Sequence, residues 1–190
     1  MLLGSYYYIT GNDILDKQHF IEHCHCLIKT DPLCRLIQIR SKHFSHKEYA
    51  YIVQSIMAFA PLYHTQVLVN SDMITNSLYG ADGIHFSSEG LKKADKWQGN
   101  GRLKAASCHG INELLLAEKK KMDFVTLSPI LPTPSHPEAK ELGWDKTEKL
   151  LAQTSLAVYL LGGMKKEDLP KALKMGAKGI SGISGFWKMS

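Results

Sequence analysis

Short aliphatic or β-branched runs alternate along the chain with longer stretches in which apolar residues recur at intervals of three and four. The short runs predict eight strands, at Tyr6–Thr10, Leu36–Arg40, Gln66–Val69, Gly83–His85, Leu103–Ser107, Phe124–Ser128, Ala157–Leu161 and Gly179–Gly182. The longer stretches predict helices over Asp16–Lys29, His46–Phe59, Ile111–Lys121, Lys146–Gln153 and Lys166–Met175, with a shorter one over Ser88–Asp95. Ser45, followed three residues on by Glu48, reads as a capping box, and Gly176 reads as a helix stop.

Strands that alternate with helices build a parallel sheet, either open and doubly wound or closed into a barrel, and spacing alone does not separate the two. A count of eight favours a (β/α)8 TIM barrel. With 190 residues against a typical ~250, the barrel is minimal. Only Phe186–Ser190 remain where an eighth helix is expected, so that helix is truncated or absent, and a second subunit is one candidate to cover the gap. Residues 1–190 are read as a single barrel domain, with a homodimer left open.

A hydrophobic fraction of 44% suits one sizeable core. No apolar run approaches the ~20 residues of a membrane span, and Met1–Thr10 lacks the features of a leader, so a cytoplasmic protein with no membrane partner is expected. The four cysteines, Cys24, Cys26, Cys34 and Cys108, are read as free thiols. An anionic small molecule suits the net charge of +5 as well as nucleic acid does; with no binding motif or basic stripe, nucleic acid is not expected. His23-Cys24-His25-Cys26 resembles a metal motif, but side chains at i and i+2 diverge on a helix, so it is read as structural, with Cys24 and Ile28 facing the core.

In a parallel barrel, chemistry collects where strands end. The second strand continues Gln38-Ile39-Arg40-Ser41-Lys42, and a period of two sends Gln38, Arg40 and Lys42 to one face. Two readings stay open: convergence on an anion such as phosphate, or pairing with carboxylates and solvent. Other strands end in Asn70, His85, Ser107-Cys108-His109, Thr126 and Ser128; each is weak alone, but their recurrence at one end is a signal. Gly162-Gly163 and Gly182-Ile183-Ser184-Gly185 follow the last two strands, where barrels bind phosphate through backbone N–H groups, although such glycines also serve merely to turn a chain. Ile130–Gly143, with Pro132, Pro134 and Pro137, is long for a connection and is expected to be a lid.

Several of these segments together resemble the thiamine phosphate synthases and their TenI-like thiazole tautomerase relatives, over about Tyr6–Trp187. They are Gln38-Ile39-Arg40-Ser41-Lys42, Val67-Leu68-Val69-Asn70, Gly80-Ala81-Asp82-Gly83-Ile84-His85, Leu127-Ser128-Pro129-Ile130 with Thr133, Leu161-Gly162-Gly163-Met164 and Gly176-Ala177-Lys178-Gly179. Ala105-Ala106-Ser107-Cys108-His109, Pro132–Pro137, Leu142-Gly143-Trp144 and Gly182–Trp187 look closer still to the C-terminal half of bacterial fusions with a MutT-like Nudix hydrolase.

The resemblance implies a transferase of thiamine biosynthesis that joins hydroxymethylpyrimidine diphosphate to thiazole phosphate and releases diphosphate. It implies that Gln38, Arg40, Lys42 and Asn70 meet the pyrimidine diphosphate, that Ser107, Thr133 and Ser135 support the reacting groups, and that Gly163, Ile183 and Ser184 hold the thiazole phosphate. Arg40, Ser107 and His109 become the candidate catalytic residues; His136, Gly162 and Gly182 join the substrate-binding set, and no metal ligand is assigned. The family's two magnesium-binding Asp positions read Ser71 and Gly90, so Mg2+ would have to rely on Asp72 or Glu89, and activity is expected to be reduced. A diphosphate-binding Lys corresponds to His136, and the tautomerase base position to Pro129. The alternative is a non-catalytic module that binds a thiazole- or thiamine-related phosphate and works with a Nudix hydrolase.

Overall fold

A computed structural model describes residues 3–74, 77–97, 101–133 and 138–187, without the side chains of Lys96 and Ser184. The strands are β1 (Tyr6–Ile9), β2 (Leu36–Ile39), β3 (Gln66–Asn70), β4 (Gly83–Phe86), β5 (Leu103–Cys108), β6 (Phe124–Leu127), β7 (Ala157–Leu160) and β8 (Gly179–Gly182). Each pairs in parallel with the next, and β8 returns to β1 through Tyr7 opposite Ser181, closing the barrel. Every expected strand is present, with ends shifted by at most one residue.

The helices are α1 (Lys17–Thr30), α2 (His46–Met57), α3 (Ser88–Lys92), α4 (Ile111–Lys119), α5 (Gly143–Leu151), α6 (Leu169–Lys174) and α7 (Ser184–Trp187). Asp16 caps α1 by accepting the His19 N–H, and Ser45 with Glu48 forms the capping box that opens α2. Three expectations need correction. The helix expected at Ser88–Asp95 ends at Lys92 and is followed by a separate 3-10 turn, Ala94–Lys96. The helix expected at Lys146–Gln153 begins three residues earlier, at Gly143, and ends at Leu151. The one expected at Lys166–Met175 starts as a 3-10 turn, Lys166–Asp168, and becomes α6 only at Leu169, because Pro170 has no N–H to donate and suits a first helical turn. Among the described residues, β3 and β4 are joined only by a 3-10 turn, Ser71–Met73.

Period two divides each strand between two cores. Outward residues such as Ile37, Ile39, Val67, Val69, Val125 and Leu127 pack under the helices with Cys24 and Ile28 of α1. Tyr7, Leu36, Leu68, Ala105, Phe124 and Tyr159 fill the barrel, where Tyr7, Phe124 and Tyr159 meet pairwise at 5.2–5.7 Å between centroids. α7 is a single turn, yet the outer wall beside it is covered from within the chain: Phe186 packs on Tyr6 and Tyr8, and Trp187 on Phe20 and His23. Trp187 Nε1–H also donates to Asp13 at 2.8 Å. Among the described residues no helix is long and apolar enough to cross a membrane.

Candidate functional site

The inward period places apolar residues at the bottom of the barrel and polar ones at the carboxyl ends of the strands, where they line a cavity of about 950 Å³. Gln38, Arg40, Lys42, Asn70, Ser107, His109, Thr133, Gly162, Gly163, Gly182 and Ile183 all stand in its wall, so the strand-end reading places these residues together. Ser135 and His136 lie outside the described residues, as does the side chain of Ser184.

Arg40 is held by its backbone. Its N–H donates to Thr10 Oγ1 at 2.9 Å, Ser41 Oγ donates to the Gly11 carbonyl at 3.1 Å, and the Lys42 N–H meets Asn12 Oδ1 at 3.3 Å. From α2, the buried Tyr49 hydroxyl donates to the Ile39 carbonyl and accepts the Asn70 N–H at 3.0 Å, tying the ends of β2 and β3 together. Burial lowers the Arg40 pKa and the nearby Asp72 charge opposes that shift; a guanidinium stays charged throughout. No carboxylate lies within ion-pair distance of Arg40 among the described residues. Beside it, Gln38 is 1% exposed and its Nε2 has no hydrogen-bond partner among them. A buried donor without an acceptor is costly, so this wall is suited to a ligand that brings one.

Across the barrel floor, Tyr7 Oη lies 3.0 Å from His85 Nδ1, and His85 Nε2 lies 2.9 Å from Ser107 Oγ. Burial raises the Tyr7 pKa, so the phenol keeps its proton. Burial, with the Arg40 charge second, pushes the imidazole of His85 down to about 3, and it is neutral at ordinary pH. If Tyr7 donates to Nδ1, then Nε2–H donates to Ser107, and the serine proton is left to point at a ligand. The opposite tautomer would strand the Tyr7 proton, since no second acceptor for it is present among the described residues. His109 Nδ1 donates to the Ser128 carbonyl at 2.8 Å.

The loop glycines serve two ends. Gly162 and Gly163 have φ of +95° and +68°, and a Cβ on Gly162 would come within 2.8 Å of Pro129 Cα, so close packing against the Pro129–Pro132 segment requires glycine there. Neither N–H donates to a backbone carbonyl of the described residues, which leaves both available to an anion. The ends of the expected lid are joined, Leu142 N–H to the Pro129 carbonyl and Gly143 N–H to the Ile130 carbonyl, each at 2.9 Å. Thr133 and Ala139 from this loop reach the cavity wall.

Sequence reading named His85 without giving it a place in the site, and missed Tyr7, Tyr49 and Lys165. The period of two that turns Ile9 inward also turns Tyr7 inward, and Gly83 inward implies His85 inward. Tyr49 acts from a helix, and no strand pattern reports it.

Residues 6–186 match the family model described as thiamine monophosphate synthase. A relative from Aquifex aeolicus (strain VF5), named "Putative thiamine-phosphate synthase 2", is 30% identical over 170 residues, covering 89% of this chain and 90% of the relative. The thiamine-phosphate synthase of Clostridium novyi (strain NT) is 25% identical over 185 residues, 96% of this chain and 90% of that one. A solved structure of thiamine phosphate pyrophosphorylase from Pyrococcus furiosus superposes with a TM-score of 0.78 at 23% identity, over 95% of this chain and 85% of the other, a likeness of fold.

Proposed function

The chain belongs to the thiamine monophosphate synthase family, and from that premise we propose that its barrel mouth joins hydroxymethylpyrimidine diphosphate to thiazole phosphate, releasing diphosphate. The observation that carries this reading is the wall made by Gln38 and Arg40: among the described residues, a buried amide donor without a hydrogen-bond partner beside a partly buried guanidinium with no carboxylate at ion-pair distance. That pair suits a ligand with a ring acceptor next to an anionic group.

The reaction needs the bond between the pyrimidine methylene carbon and the diphosphate oxygen to break, with the electron pair leaving on diphosphate. The thiazole nitrogen then gives its lone pair to the methylene carbon. In this reading Arg40 and Lys42 stabilise the negative charge that grows on the leaving oxygen, the step at which fixed cations contribute most. Gln38 and Asn70 orient the pyrimidine, and Ser107, set by His85 and Tyr7, donates toward the ring or the leaving group. The free N–H groups of Gly162 and Gly163, with the Gly182–Ile183 turn, take the thiazole phosphate. Arg40 and Lys42 follow β2 whereas the Gly162–Gly163 turn follows β7, three strands away around the closed ring, so in this reading the two anions bind on different walls of the mouth.

The test is direct: chromatographic detection of thiamine phosphate after the protein is mixed with both substrates, against a control without protein. Product formation supports a transferase. Its absence, with protein and substrates intact, would move the reading to a module that only binds these phosphates.

A further inference from the structure

We propose that the diphosphate subsite of this barrel is complete without a divalent metal, its positive charge being supplied by Arg40 and Lys42, with Asp72 engaged as an internal counter-ion rather than as a metal ligand. The inference rests on the function proposed above. Its ground is how the carboxylates of the mouth are used. Asp72 Oδ1 accepts the Ser87 hydroxyl at 2.8 Å and the Ser71 hydroxyl at 3.2 Å, while Oδ2 faces the Lys42 ammonium at 3.4 Å. Glu89, the other carboxylate of the cavity wall among the described residues, already pairs with Lys92 on the next turn of α3. Each of the two has its ammonium.

Magnesium asks for hard oxygen donors in near-octahedral geometry and is repelled by a cation on the same carboxylate. At Gly90, where a second carboxylate could stand beside Asp72, the space is already used. Ser71 Oγ also accepts the Ser87 N–H at 3.2 Å, and a Cβ on Gly90 would come within 2.8 Å of that same oxygen. Ser71 and Gly90 therefore fit each other: the hydroxyl occupies the space that an acidic side chain on α3 would need. No group of three or more His, Cys, Asp or Glu side chains is arranged to hold a metal among the described residues. An entering diphosphate instead finds an ammonium that can leave a half-exposed carboxylate for a more highly charged partner.

The deciding experiment is a calorimetric titration of inorganic diphosphate into the intact protein, once in EDTA and once in excess magnesium. Binding in EDTA that is as tight as in magnesium, or tighter because magnesium sequesters the free anion, is the expected result. A gain of roughly tenfold or more on adding magnesium, or no binding in either buffer, overturns the inference. An Asp72→Asn variant gives a second reading, since loss of a neighbouring negative charge should tighten diphosphate binding roughly two- to fivefold in both buffers. Weaker binding confined to the magnesium buffer would make Asp72 a metal ligand and sink the idea. The product assay separates this from the reaction itself: transfer that occurs only with magnesium defeats the metal-free subsite and leaves the transferase standing, whereas metal-independent diphosphate binding without any transfer does the reverse.

Discussion

At the scale of single residues, the site depends on a few polar groups that the barrel has desolvated. Replacing Arg40 by Ala removes a cation that has no intramolecular ion-pair partner among the described residues. Diphosphate binding should weaken roughly ten- to a hundredfold while circular dichroism stays unchanged, which a calorimetric titration of the variant checks. His85 should make the protein acid-sensitive. Its imidazole titrates near 6.5 in an unfolded chain and at about 3 in the fold, so between these values the unfolded state holds a proton that the native state lacks. Stability is therefore independent of this group above pH 6.5 and falls as pH drops toward 3, by on the order of 3 kcal/mol at pH 4. Urea midpoints at pH 7 and pH 4 should differ less in a His85→Gln variant than in the parent, and an unchanged difference would assign the acid sensitivity to other groups.

At the scale of elements, the ends of β2 and β3 are held from outside the sheet. Tyr49, one turn into the capped helix α2, satisfies the Ile39 carbonyl and the Asn70 N–H with one hydroxyl. Tyr49→Phe keeps the ring in its buried place and removes the bridge, leaving two buried backbone groups unpaired. About 1–3 kcal/mol of stability should be lost, measured by urea unfolding, with weaker diphosphate binding because Arg40 and Asn70 lose their common anchor. Conserved stability with normal affinity would show that solvent replaces the hydroxyl. The strands and the capping box that set this arrangement are legible in the sequence, since period two, period 3.6 and the Ser45–Glu48 pair are local patterns. The start of α5 is less so: Gly143 at φ +70° is a position that local spacing does not mark, and the bond from its N–H to the Ile130 carbonyl closes the loop there.

At the scale of the molecule, the cavity draws its wall from the ends of strands all around the ring, so ligand and barrel should gain stability together. Inorganic diphosphate at about a hundred times its dissociation constant should stabilise the fold by ~2.7 kcal/mol and raise the thermal midpoint by roughly 5–10 °C. A scanning-fluorimetry series in diphosphate checks this, and an unmoved midpoint at saturating concentration would mean that the anion does not bind the native barrel. The short α7 does not leave the wall bare, because Phe186 and Trp187 lie over β1 and α1.

The order and kind of elements, the inward face of β2 and the gathering of polar residues at one end of the strands were determined by the sequence itself, because each follows from spacing within a few residues. The strand register of the closed barrel, the chain from Tyr7 through His85 to Ser107, and the use of Asp72 by Ser71, Ser87 and Lys42 were decided only by tertiary structure. Tyr7 and His85 are 78 residues apart. Local periodicity carries no information about which inward side chains meet across a barrel; strand register and packing supply it.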